Sequence, residues 1–223
     1  MPPLPLYTQQ YDFNKYLGYP SKIICFWFIP RSGSNLLADL ARQTNLIGYP
    51  LEYFSPNSSN LINPDMAHRL TGFDQVIKAR TSSNGVFSFK FNSDFFALKQ
   101  KLFNFLKVSH HIYLDREDRE GQAISFAKAK KSNTWINLRE NPNSSSKIVK
   151  VTPFEVNDAM EKLEECRTKT LSEVSKTDFL RVDYEEIISE PAKALTRIFQ
   201  YCEIKKIGEF HDLAPQISLP SKV

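Results

Sequence analysis

The stretch Lys22 to Ile29, reading KIICFWFI, constrains the fold of this chain more than any other. A run this apolar does not alternate as a half-exposed strand would. It reads as a strand buried on both faces, the mark of a parallel sheet covered by helices on each side. Pro30 stops it, and Leu36, Leu37, Leu40 and Ala41 then recur at helical spacing as far as Thr44. Further β-rich runs follow at Gly85 to Phe91, His110 to Leu114 and Phe179 to Val182, each separated from the last by a helical pattern. Asn63-Pro64-Asp65 reads as a helix start leading to Lys78, and Ser93 as the cap of an aromatic-rich helix to Leu106. Another helix is expected from about Glu117 to Lys130. Thr152-Pro153-Phe154-Glu155 forms a capping box for a long helix through Val174, and Ser189-Glu190-Pro191 opens a last one to Cys202. The pattern predicts an α/β protein: a P-loop-like, three-layer fold with a central, mostly parallel sheet flanked by helices.

At 223 residues the chain has enough core for one domain without metal or disulfide staples. Residues 1–20 are expected as an N-terminal extension and 132–150, with its NPNSSS run, as a mobile loop. A formal net charge of +4 suits a small anionic ligand, and there is no concentrated basic face to argue for nucleic acid. Cys25, Cys166 and Cys202 are far apart and odd in number, and read as reduced thiols. They make no metal spacing with the histidines, so no metal is expected. No apolar run reaches the length of a membrane span, and the N-terminus lacks the pattern of a signal peptide. A cytoplasmic protein with no membrane partner is the expectation; a homodimer is left open.

The chain has only seven glycines, and the nearest two lie thirteen residues apart. No GxG, GxxxxG or GxSxG can be written anywhere, which removes the dinucleotide fingerprint, the Walker A loop and the α/β-hydrolase elbow together. What remains is Pro30-Arg31-Ser32-Gly33-Ser34-Asn35, set between a buried strand and a helix. Backbone N–H groups converge at such a helix start, where the dipole also favours negative charge. Ser32, Ser34 and Asn35 add short donors, Gly33 allows close approach, and Arg31 supplies a permanent positive charge. This is a phosphate cradle without the Walker lysine. The competing reading has Ser32 or Ser34 as a simple helix cap and Arg31 in solvent.

RSGSNLLADL, followed by Gly48-Tyr49-Pro50-Leu51-Glu52-Tyr53-Phe54, resembles the opening of the trehalose 2-sulfotransferase-type family. The resemblance continues through Gly85 to Lys90, through His111-Ile112-Tyr113-Leu114-Asp115-Arg116 with Gln122-Ala123-Ile124-Ser125-Phe126, and through Val182-Asp183-Tyr184-Glu185-Glu186 to Pro191 and Leu195. It implies transfer of a sulfuryl group from 3′-phosphoadenosine 5′-phosphosulfate (PAPS) to a hydroxyl of a carbohydrate or another small metabolite. By the same resemblance the 5′-phosphosulfate falls on Arg31, Ser32, Gly33, Ser34 and Asn35, and the 3′-phosphate on Arg116 and Ser125. Glu52 becomes the general base for the attacking hydroxyl. Arg31 serves the departing phosphate, and Lys90 either touches the acceptor or neutralises Glu52. The chain departs from the family pattern in a short stretch between Glu52 and Gly85 and in the tail LAPQISLPSKV, so trehalose itself does not follow.

Each residue has a plainer reading beside this one. Arg116 has Asp115, Glu117 and Asp118 for a salt bridge, Ser125 is an ordinary helix residue and Lys90 a surface lysine. Trp135 either lines the acceptor pocket or is structural, and Asp183 and Glu185 read as strand-end residues without a chemical role. Three other functions compete: a nucleotide-binding module with little catalysis, a small phosphotransferase using ATP and Mg²⁺, and a basic RNA-binding module. The phosphotransferase lacks a Walker lysine and a clear Walker-B carboxylate; the RNA binder lacks an RNP pattern.

Overall fold

The computed structural model describes residues 5–13, 16–54, 67, 70, 72–92, 96–135 and 149–205. Four parallel strands lie in the order β2–β1–β3–β4: β1 (Lys22–Phe28), β2 (Val86–Phe91), β3 (His110–Asp115) and β4 (Phe179–Asp183). β1 pairs with β2 on one side, Lys22 opposite Val86, and with β3 on the other, Ile24 opposite His110. The fold class is the expected one.

β1 is apolar throughout because both its faces are covered. Ile23, Cys25 and Trp27 point into one core with Phe87, Phe89 and Phe91 of β2; Ile24, Phe26 and Phe28 point into the other. Burying each large side chain of this kind stabilises the fold by roughly 1.5–3 kcal/mol, so β1 is the strand on which both layers depend. The second core is closed by α1 (Ser34–Gln43), through Leu36, Leu37 and Leu40, and by α6 (Tyr184–Ser189) and α7 (Pro191–Tyr201). The first is closed by α2 (Phe73–Arg80), α3 (Phe96–Leu106), α4 (Arg119–Ser132) and α5 (Pro153–Val174). The capping box of α5 is formed in both directions between Thr152 and Glu155.

Four details depart from the sequence reading or lie outside it. Leu6 and Tyr7 of the N-terminal segment are buried in the first core, and the Arg80 guanidinium binds the carbonyls of Thr8 and Tyr11. Residues 46–54 run along the outer edge of β2: Leu51 bridges Phe89 in parallel, and its carbonyl accepts from Lys90 N at 2.9 Å. Of the helix expected from Asn63 to Lys78, Ala67 is helical, Gly72 interrupts with extended backbone and Phe73–Arg80 follows as α2, while Asn63–Asp65 and Ser93 lie outside the described residues. Most of the loop expected at 132–150 lies outside them too. No described helix is long and apolar enough to cross a membrane.

After β2 the chain returns across β1 to form β3 on its far side. The strand order therefore reverses between β1 and β3. In open α/β sheets the crevice beyond the carboxyl ends of such a pair is where ligands sit. Arg31 follows one of these strand ends and Arg116 the other.

Candidate active site

The β1–α1 turn is built for a close approach. Arg31 and Gly33 both take left-handed backbone, at φ 66 and φ 80, which is ordinary for Gly33 and strained for Arg31. Gly33 is itself the N-cap of α1, and no side chain caps the helix, so the reading of Ser32 or Ser34 as a cap does not hold. The N–H groups of Arg31, Gly33, Ser34, Asn35 and Leu36 consequently find no acceptor among the described residues. Gly33 is needed for a second reason. A Cβ there would lie 2.5 Å from the Tyr184 ring, so the crowding that excludes larger residues comes from the protein, before any ligand is considered.

Arg31 is half-buried, and its guanidinium reaches across to α4. Nε donates to Ser125 Oγ at 2.9 Å, and a terminal nitrogen donates to the Trp135 carbonyl at 2.7 Å. Burial, then the positive charge of Arg116, holds the Arg31 pKa below the usual arginine range. Arg116 is 8% exposed, lies 4.6 Å from the centre of the Tyr184 ring, and gives one terminal nitrogen to Asp118 at 2.8 Å. Its Nε is buried without a partner among the described residues, as is Ser32 Oγ. Two cations and two orphaned polar atoms thus gather beside a helix start with free N–H groups. Leaving buried polar groups unpaired costs about 1–3 kcal/mol each, so an anion with several acceptor oxygens fits this place. Ser125 meets Arg31 here and makes no bond to Arg116. Gly121 keeps the Arg116–Asp118 pair intact, since a Cβ there would fall 2.0 Å from Asp118 Oδ2.

The second half of the site lies at the end of β2. Lys90 is only 2% exposed, which removes the surface-lysine reading. Its ammonium is 3.3 Å from Glu52 Oε1, hydrogen-bonds the Asn35 side chain and sits over the Phe28 ring. Burial lowers the Lys90 pKa from 10.5, and the Glu52 carboxylate opposes that shift. Glu52, half-buried at the end of its edge segment, is thereby tied through Lys90 to the first turn of α1.

The contacts of several structural residues escaped the sequence reading, Glu185 among them, which read only as a strand-end residue. Tyr184 packs between Gly33 and Arg116. Glu185 accepts from the backbone N–H groups of Glu117 and Asp118, joining the ends of β3 and β4. Gln122, fully buried on α4, donates to the Pro30 carbonyl at 2.8 Å. Both Gln122 and Tyr184 stand inside the stretches that carry the resemblance, and the only signal of a role was that position. Trp135 is 43% exposed and contributes its carbonyl to Arg31, while its ring meets Phe126 edge-on.

Two solved structures place this architecture. A sulfotransferase domain from the Synechococcus PCC 7002 olefin synthase matches with a TM-score of 0.51 at 15% identity, over 88% of this chain and 78% of that one. A crystal structure of mouse sulfotransferase SULT7A1 complexed with PAP matches with a TM-score of 0.50 at 18% identity, over 85% of this chain. The chain spans 61% of the mouse enzyme's length. The fold is sulfotransferase-like. No family model and no curated protein matches the sequence.

Proposed function

We propose that the protein is a sulfotransferase that uses PAPS and sulfates a hydroxyl of a carbohydrate or another small metabolite. The observation that carries this reading is the pairing, at the carboxyl end of the sheet, of an anion cradle lined by Arg31 and Arg116 with a carboxylate held by a buried lysine. The fold likeness to sulfotransferase domains, one of them complexed with PAP, agrees with it.

The residues fit the donor by their chemistry. Arg31, the orphaned Ser32 hydroxyl and the free N–H groups of Gly33, Ser34 and Asn35 would hold the 5′ end; Arg116, with its unpartnered Nε, would hold the 3′-phosphate. Bound there, PAPS would supply an activated sulfuryl group, with adenosine 3′,5′-bisphosphate as the leaving group. The chain's own work is to fix the two ends, to stabilise the negative charge that grows at the cradle, and to take a proton from the acceptor. Glu52 is the proton acceptor. Lys90 holds its carboxylate and links it through Asn35 to the helix that carries the cradle, so base and cradle keep a fixed relation. No described group of three or more His, Cys, Asp or Glu residues is arranged around a metal site, and nothing in this scheme calls for one.

The test follows label from [³⁵S]PAPS into a panel of hydroxylated sugars and small alcohols. Labelled product from the wild-type protein that is lost in Glu52→Gln supports the reading. Donor binding without product on any acceptor favours a nucleotide-binding module instead.

A further inference from the structure

We propose that Gln122 is a positioning residue: it turns the Pro30–Arg31 peptide so that the Arg31 N–H serves the anion cradle. The inference rests on the proposed function for its ligand but on the fold alone for its geometry. Gln122 Nε2 donates to the Pro30 carbonyl at 2.8 Å, and its Oε1 accepts from a terminal nitrogen of Arg167 at 2.8 Å. With a donor required on one side and an acceptor on the other, the amide has a single orientation. The Pro30–Arg31 peptide is trans, so its C=O and N–H point in opposite directions. A carbonyl fixed toward Gln122 sends the Arg31 N–H the other way, and that N–H has no acceptor among the described residues.

The support behind Gln122 is buried and charged. Arg167, from α5, also gives Nε to Asp115 Oδ1 at 3.2 Å and pairs with Glu164. Asp115, at the end of β3, takes both terminal nitrogens of Arg119, at 2.7 and 3.1 Å, and the N–H of Arg116 at 2.9 Å. Burial works against its charge, yet those donors together hold its carboxyl below the usual carboxylate range. One buried cluster therefore touches both halves of the cradle: Asp115 fixes the backbone of Arg116, and through Arg167 and Gln122 it fixes the peptide before Arg31. The left-handed φ of Arg31 is the conformation this restraint has to maintain.

The experiment compares Gln122→Glu and Gln122→Met with wild type. The glutamate keeps an acceptor for Arg167 but has no N–H for Pro30; methionine removes both bonds at similar volume. Binding of adenosine 3′,5′-bisphosphate is measured by calorimetry, alongside melting temperature and the ¹⁵N–¹H resonance of Arg31. We expect Gln122→Glu to melt somewhat below wild type, because the Pro30 carbonyl loses its donor, yet to bind at least about tenfold more weakly, more than that loss of stability accounts for, with its preference for the bisphosphate over AMP unchanged, because Arg116 is untouched. Gln122→Met should weaken binding as much and also lower the melting temperature. Wild-type affinity in a folded Gln122→Glu or Gln122→Met overturns the inference, as does affinity that falls only in step with melting temperature. If wild type binds no bisphosphate, the proposed function fails instead. The ligand-free Arg31 resonance then decides: a shift in Gln122→Glu supports the positioning role, and an unmoved one overturns it.

Discussion

The two halves of the site are built on opposite principles. At Glu52 and Lys90 the charges cancel within the protein: a buried ammonium meets a carboxylate, an amide oxygen and an aromatic ring. At Arg31 and Arg116 they do not. Each arginine has a hydrogen-bond partner, yet burial and then the charge of Arg116 lower the affinity of Arg31 for a proton, and donors at Arg116 Nε and along the turn stay unfilled among the described residues. One half is electrostatically complete without a ligand; the other keeps two positive charges beside unfilled donors. Binding should therefore depend on the arginine half and proton removal on the glutamate half, and each can be damaged without the other.

The largest effect should come from Glu52→Gln, which keeps size and removes the carboxylate proposed as the base. Turnover on a working acceptor is expected to fall by roughly 10²–10⁴ while bisphosphate affinity stays within a few fold. Normal turnover would place the base elsewhere. Arg31→Ala should do the reverse first: losing a charge-assisted contact worth about 1.5–3 kcal/mol weakens the bisphosphate by roughly tenfold to a hundredfold in a titration. Unchanged affinity in the folded variant would take Arg31 out of the cradle. Arg116→Ala should cost about tenfold in the preference for the bisphosphate over AMP. If both ligands weaken equally, Arg116 only holds the fold through Asp118.

The smallest effect is a matter of pH. Burial lowers the Lys90 pKa from 10.5, so in the folded protein its ammonium is lost at a lower pH than in the unfolded chain. The unfolded chain binds the extra proton in that window, so this group makes stability rise with pH there. Turnover should move the opposite way, with an alkaline limb that begins below the ordinary lysine range as Glu52 loses its partner. Lys90→Arg, permanently charged, should push that limb upward or abolish it. An unchanged limb would mean that Lys90 does not govern Glu52.

How much of this was legible in the sequence follows from how local each signal is. KIICFWFI declared a doubly covered strand because burial is written directly into its composition, and the capping box at Thr152 is a four-residue device that needs nothing distant. The strand–turn–helix break at Arg31 to Asn35 was visible for the same reason. The partners were not. That the Ser125 hydroxyl meets Arg31 depends on how the middle of α4 passes the end of β1. Gly33 read as room for a ligand, and only packing reveals that Tyr184 already occupies the neighbouring space. Lys90 read as easily on the surface as in the site: alternation along β2 marked one polar face, and nothing local says that α1 and the edge segment cover it. Gln122 has no local signature at all. Its role exists only where α4, α5 and the β1–α1 turn meet.

The central claim is that the arginine half is a site for a 3′-phosphorylated nucleotide. Thermal unfolding of the wild-type protein in adenosine 3′,5′-bisphosphate, in ATP with Mg²⁺ and in buffer tests it most directly. At about 100 times its dissociation constant the bisphosphate should add roughly 2.7 kcal/mol of stability, with little from ATP. No shift with the bisphosphate, or an equal shift with ATP and Mg²⁺, would contradict the claim.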